Sequence, residues 1–168
     1  MKLGFRLRCI DVGRRGTLYT AQFDDQQETE YDRFASDPEC QAHEDNFDSI
    51  QARLDDMLGR YGFDDRFFRL EGAARDSVCA LYYDKGPLRL YCCRWSRILL
   101  IAGYGGVKTT RTYQEDPRLY EAVRRMQHVD RQLYHRIVED VDDRLRIMVD
   151  DHEQRFLGNL LFEPEDLI

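Results

Sequence analysis

Proline is scarce, with 4 in 168 residues, while phenylalanine and tyrosine number 9 and 10. That balance excludes a linker-like or disordered chain and predicts a packed core. Long apolar runs are missing, and none nears the twenty or so residues of a membrane span, so no membrane is expected. The opening MKLGFRLRCI has no continuous apolar stretch, which argues against a secretory signal. The C-x-x-C spacing is absent too. The five cysteines are Cys9, Cys40, Cys79, Cys92 and Cys93, and the last two point to opposite faces if they lie in a strand. Free thiols in a reducing cytoplasm, with no disulfide, are expected.

The usual signatures of cofactor chemistry are also lacking. Cys40 and His43 form a lone pair without a partner pair, and His128 and His135 have no carboxylate at zinc-site spacing. No nucleophile elbow occurs. Gly103–Thr110 (GYGGVKTT) resembles a phosphate loop, but Val107 separates glycine from Lys108, and no helix pattern follows. Neither a metal nor a cofactor is expected.

Acid is present in excess, at 32 Asp and Glu against 25 Lys and Arg, for a net charge of −7. This balance argues against tight, unspecific nucleic-acid binding. One interval reverses it. Lys85–Tyr113 carries Lys85, Arg89, Arg94, Arg97, Lys108 and Arg111 and no carboxylate, so the chain outside it sums to −13 from a total of −7. Such an island either meets a phosphate-bearing partner or pairs with the protein's own carboxylates.

The order of elements follows from periodicity. Leu3–Ile10 alternates, Gly13-Arg14-Arg15-Gly16 supplies a turn, and Leu18–Phe23 completes a hairpin. Glu28–Ser36 reads as a short helix with Tyr31 and Phe34 inward, interrupted by Pro38. Phe47, Ile50, Leu54, Met57, Leu58 and Tyr61 make one apolar stripe on a helix from Glu44 to Tyr61, which Gly62 ends. Phe63–Leu70 reads as a strand and Glu71–Asp76 as a turn. Val78–Asp84, Leu88–Trp95 and Ile98–Ala102 form an antiparallel meander. In its middle strand Arg89, Tyr91, Cys93 and Trp95 share one face, opposite Leu88, Leu90, Cys92 and Arg94. Asp116-Pro117 opens a long helix with Leu119, Val123, Met126, Leu133 and Ile137 apolar, widened by Tyr120, Tyr134, Val138 and Val141. Two short strands are expected in the tail.

The predicted class is α+β: a small antiparallel sheet flanked by helices. One domain covers 1–168, with a core of about 28–130, an N-terminal hairpin at 1–25 and a C-terminal tail at 144–168.

The basic island suggests RNA chemistry. Cleavage without metal needs an in-line phosphodiester, charge stabilisation by Arg or Lys, and a side chain that moves protons. Rings can stack unpaired bases. Arg66, Arg69, Arg89, Lys108, Arg111 and Tyr113 have suitable side chains.

The phrases Tyr61-Gly62-Phe63, Arg66-Phe67-Phe68-Arg69-Leu70, Leu88-Arg89-Leu90-Tyr91, Ile98–Ala102 and Lys108-Thr109-Thr110-Arg111-Thr112 carry a resemblance. Their order is similar to the RelE/HigB superfamily of bacterial toxins, over roughly Glu28–Asp130. A group of longer relatives with a GG-x-KTTRTYQEDP segment is most alike. The resemblance implies a RelE-like sheet flanked by helices, with the opening hairpin, the long helix and the tail as additions. It implies ribosome-dependent, metal-independent cleavage of mRNA, inhibition of translation, and a helix-turn-helix antitoxin as partner. The added parts would either build a homodimer or occupy the surface that an antitoxin covers. On this reading Arg69, Arg89, Lys108, Arg111 and Tyr113 are the catalytic candidates, and Arg66, Tyr91, Arg94 and Arg97 contact RNA. The chain departs from the family in its acidity and in lacking a catalytic histidine. The alternative is a non-catalytic docking module on the same fold.

Overall fold

The computed structural model describes residues 1–71 and 77–168. The turn expected over Glu71–Asp76 lies outside them except for Glu71. The fold is α+β, built on a mostly antiparallel seven-stranded sheet with four α-helices.

Strands β1 (Phe5–Gly13) and β2 (Gly16–Phe23) form the opening hairpin, in antiparallel register from Phe5↔Phe23 to Gly13↔Gly16. Three helices follow: α1 (Glu30–Ser36), α2 (Pro38–Gln41) and α3 (Glu44–Asp56). Pro38 does not merely interrupt. It occupies the first turn of α2, where its missing N–H costs nothing, and Asp37 caps that turn. The α3 stripe runs on into a single π-helical turn, Met57–Tyr61, closed by Gly62 at φ +73°.

The strand expected over Phe63–Leu70 is shorter. The Asp64 carboxylate accepts from the Arg66 N–H and folds Asp65–Phe67 into a 3-10 turn, leaving β3 as Phe68–Leu70. The meander then forms as β4 (Val78–Tyr82), β5 (Leu88–Arg94) and β6 (Leu99–Val107). The sheet order is β3-β4-β5-β6-β2-β1-β9, where β9 (Leu161–Phe162) closes the edge; the β2–β6 pair is parallel and the other pairs among the described residues are antiparallel.

The strand expected over Ile98–Ala102 is longer: β6 continues through the glycines that follow Ala102, to Val107. A Cβ on Gly105 would lie 1.8 Å from the Arg89 carbonyl oxygen, and one on Gly103 would lie 2.5 Å from the Met126 sulfur. These glycines let β5 and the long helix approach closely.

That helix is α4 (Pro117–Val138), capped by Asp116, with Leu119, Val123, Met126 and Leu133 fully buried. Tyr120, Tyr134 and Val138 do not widen its buried stripe; all three are exposed. The Cys93 thiol reaches the Met126 carbonyl at 3.1 Å, while Thr20 accepts from the Tyr31 N–H. Cys93 pairs with Ile101 and Thr20 with Ala102, so α4 and α1 cover opposite faces of the sheet. On the α1 side, α3 is tied to β5 by Asn46, whose side chain accepts from the Leu88 N–H at 2.9 Å.

In the tail β7 (Ile147–Asp150) and β8 (Arg155–Gly158) pair as a hairpin. Phe156 of that hairpin meets Tyr19 and Trp95, and buried Arg136 of α4 donates to the Asn159 and Leu161 carbonyls. None of the five cysteines is in a disulfide, and burial pushes the Cys40 thiol up to about 12. No helix among the described residues is long and apolar enough to cross a membrane.

Candidate functional site

Register decides which of the expected site residues meet. Arg69 pairs with Ala80, Ala80 with Tyr91, Tyr82 with Arg89, and Arg89 with Gly106. Directly opposed residues share a face, so Arg69, Tyr82, Arg89 and Tyr91 all lie on the α4 side. Arg69 is exposed. Arg89 is half-buried, with its guanidinium 5.0 Å over the Tyr82 ring and donating to the Gly86 and Leu88 carbonyls at 3.1 and 3.0 Å.

Beyond β6, Thr112 and Glu115 form a reciprocal capping box around the 3-10 turn Tyr113–Glu115. This turn sets the Tyr113 ring edge-on to Tyr91 at 6.3 Å and stacked with Tyr120 at 6.5 Å. The result is a ledge of rings beside the first turn of α4, flanked by Arg69 and Arg89. Lys108 adjoins it through the bond from its N–H to the Pro87 carbonyl, 2.9 Å, and Arg111 is exposed in the following loop.

Tyr91 corrects one expectation. It is fully buried, so it underlies Tyr113 and meets no RNA. Its hydroxyl has no hydrogen-bond partner among the described residues. Burial and then nearby Glu71 raise its pKa, against a lowering by Arg89, so this phenol keeps its proton. Glu71 and Asp116 both act on Tyr91, and Glu115 closes the Tyr113 turn, so the region is not free of carboxylates.

Arg66, Arg94 and Arg97 do not join this face. Leu70 and Cys79 are paired in register, as are Cys79 and Cys92, on the opposite side. There Arg66 and Arg94 line a cavity of about 500 Å³ with Phe68 and Ser77. Arg94 donates to the Phe63 carbonyl at 2.5 Å, and Arg97 donates to the Tyr61 carbonyl at 3.3 Å. The strand alternation that places Arg89 opposite Arg94 already carried this separation.

Two further charged regions went unnoticed in the sequence. Where α1 and α4 meet, Glu30, Arg33, Tyr104, Arg118, Glu121 and Arg125 line a cavity of about 260 Å³. Its cations are paired with carboxylates, although Glu30 Oε2 stays buried without a hydrogen-bond partner among the described residues. Glu30 is fully buried, 3.1 Å from Arg33 and 3.7 Å from Arg125, and Arg125 also holds Asp25 at 2.7 Å. The Arg125 hydrogen bond keeps the Asp25 carboxyl below its usual range. Against burial, the Tyr104 hydroxyl and the Glu39 and Cys40 N–H groups keep Asp37 low as well. The second region is around Arg14, Arg15 and Arg60, which form no ion pair among the described residues.

Neither His128 nor His135 lies at the ring ledge. His128 bonds the Leu3 carbonyl at 2.8 Å and His135 pairs with Glu139 on the far turns of α4. Among the described residues no three His, Cys, Asp or Glu side chains gather as metal ligands. Comparison with protein families, curated proteins and solved structures finds no match to the chain.

Proposed function

We propose that this chain acts on RNA at the ring ledge, as a RelE/HigB-like toxin that cleaves ribosome-bound mRNA in the cytoplasm without a metal cofactor and so inhibits translation. One observation carries the reading. Arg69, Arg89 and Tyr113 come from three separate stretches and gather on one face of the sheet, over Tyr91. Arg69 and Arg89 would meet the phosphodiester, Lys108 and Arg111 would clamp its flanks, and the Tyr113–Tyr120 pair offers a surface for an unpaired base. Glu71, whose charge acts on Tyr91, would be the candidate to accept a proton. The resemblance adds a helix-turn-helix antitoxin as the partner that covers this face, and a homodimer through the added N- and C-terminal parts.

The test is induced expression in a bacterium, with growth and mRNA integrity followed. Wild type should arrest growth and cut mRNA on ribosomes. Arg69→Ala, Arg89→Ala and Lys108→Ala should each lose about 2–4 kcal/mol of transition-state stabilisation, the size of a lost oxyanion donor. Equal toxicity of wild type and all three variants would refute the site.

A second reading, a non-catalytic docking module on the same fold, is favoured by the state of Tyr91 and Arg89. The one is buried and holds its proton, and the other spends its guanidinium on backbone carbonyls. Wild type that leaves growth and mRNA intact decides for this module.

A further inference from the structure

At the end of the sheet where β1 turns into β2, three other segments converge: the π-helical turn, the Ser96–Arg97 bend and the β7–β8 turn. Together they enclose a groove of about 350 Å³, whose walls include Arg14, Arg15, Arg60, Tyr61, Arg97 and Gln154. Among the described residues no acidic one lines it, in a chain with 32 Asp and Glu. Among the described residues Arg14, Arg15 and Arg60 form no ion pair, and Arg97 shares only Asp64, at 3.6 Å. Four cations drawn together repel one another, and a purely structural cluster is expected to include its own counter-charges.

The groove is also fixed in shape. The Arg15 N–H donates to the Leu58 carbonyl at 2.7 Å, locking the β1–β2 turn onto the π-helical turn. Gly13 leaves no gap there, since a Cβ would sit 2.4 Å from the Leu58 oxygen. From the other side the Gln154 amide reaches the Gly13 and Arg14 carbonyls at 3.5 and 3.4 Å, from a residue held at φ +55°. Gly62 turns the chain at φ +73°, where a Cβ would lie 3.0 Å from the Arg97 carbonyl oxygen. Arg60 lies 5.1 Å over the Tyr61 ring, which orients its guanidinium without consuming its N–H donors. π-helical turns recur at functional sites, and side chains held by rigid surroundings make effective ones.

We propose that this groove binds a phosphate-bearing ligand with more than one negative charge: a nucleoside di- or triphosphate, or the 5′-phosphate end of an RNA. Both present the same phosphoryl oxygens, which guanidinium forks bind bidentately. Three guanidiniums without a carboxylate partner match a pyrophosphate group better than a single carboxylate. The site is separate from the ring ledge, so its failure leaves the reading of that face standing.

Calorimetric titration at low salt tests it, with inorganic pyrophosphate as the first probe and the full chain in the cell. Pyrophosphate should bind. Arg14→Ala and Arg60→Ala should each weaken binding by about tenfold, the loss of one charge-assisted hydrogen bond. Arg6→Ala, an exposed cation on β1, should change nothing. Thermal melting of each variant reports whether the fold is kept, and Arg60→Lys, which retains the charge, should recover part of the loss. ADP and a short RNA with a 5′-phosphate or a 5′-hydroxyl then separate the two sources. Preference for ADP assigns the free nucleotide, and preference for the 5′-phosphate over the 5′-hydroxyl assigns the RNA end. Absence of pyrophosphate binding, or binding that the Arg14 and Arg60 variants leave unchanged or that Arg6→Ala weakens equally, overturns the proposal.

Discussion

The ring ledge and the arginine groove hold their cations in opposite ways. At the ledge Arg89 is half-buried, stacked on Tyr82 and bonded to the backbone carbonyls of Gly86 and Leu88. In the groove Arg14, Arg15 and Arg60 are exposed and face no carboxylate, while the backbone beneath them is pinned on several sides. A cation that satisfies its own backbone contributes to structure. A cation held in place by others, with its donors unspent, is available to a ligand.

The largest effect should follow from the tightest approach. Gly105→Ala puts a methyl group where the Arg89 carbonyl oxygen already lies, 1.8 Å away. Strand β5 would have to retreat, and the ledge would be displaced with it. The expected loss is about 3 kcal/mol of stability, the upper end for overpacking, read by urea unfolding. A variant as stable as wild type would mean that the strands do not approach this closely.

Gly13→Ala tests the other region in the same way, at somewhat lower cost. The new methyl group meets the Leu58 carbonyl on the rim of the groove. About 2 kcal/mol should be lost, together with pyrophosphate binding, while the Tyr113–Tyr120 stack stays in place. A stability loss without any change in pyrophosphate binding would uncouple the turn from the groove.

The sequence exposed these two regions very unequally. The meander, the α3 and α4 stripes and the Asp116-Pro117 cap are local patterns, and all are found in the fold. Lys85–Tyr113 looked like one basic surface because its cations are neighbours in the chain. Strand alternation and strand length scatter them: Arg89 lies on the α4 face, Arg94 on the other, and Arg97 at the far end. The groove draws its arginines from positions 14, 15, 60 and 97, which no window along the chain brings together. The local cue was Gly13-Arg14-Arg15-Gly16, two cations in a turn without an acid, and it was read only as a turn. The glycines of β6 misled for a related reason. They mark close approach by Arg89, Met126 and Leu119, which are distant in sequence.

Acid should strain the seam between α4 and the start of β1, away from both the ledge and the groove, through His128. Its Nε2–H donates to the Leu3 carbonyl, so Nδ1 carries the lone pair, buried and without a partner. Burial holds its pKa below the ordinary 6.5, and Arg131 and the N-terminal amine also disfavour its charge. As pH falls through 6.5 the unfolded chain therefore takes up a proton that the folded chain refuses. This contribution is complete above 6.5 and is lost progressively below it. The melting temperature should fall between pH 7 and pH 5, and His128→Gln should flatten part of that fall. The paired carboxylates, Asp25 and Asp166 among them, sit below 3.8 and act only at lower pH. An unchanged slope in His128→Gln would remove His128 as the cause.

The smallest effect tests the comparison most directly. Arg89→Ala deletes two bonds to carbonyls and a stacking contact on Tyr82, in a half-buried place. Net hydrogen-bond values put the loss at about 1 kcal/mol. Arg60→Ala deletes an exposed guanidinium whose one ring partner is 5.1 Å away, and it removes a like charge from beside Arg14, Arg15 and Arg97. Lost stacking and relieved repulsion oppose each other, so stability should stay within about 0.5 kcal/mol of wild type. Parallel urea unfolding of the two variants decides. If Arg60→Ala costs as much as Arg89→Ala, the groove arginines are structural and the contrast between the regions disappears. If it costs nothing while pyrophosphate affinity drops tenfold, these cations are placed for a ligand, at no benefit to the fold.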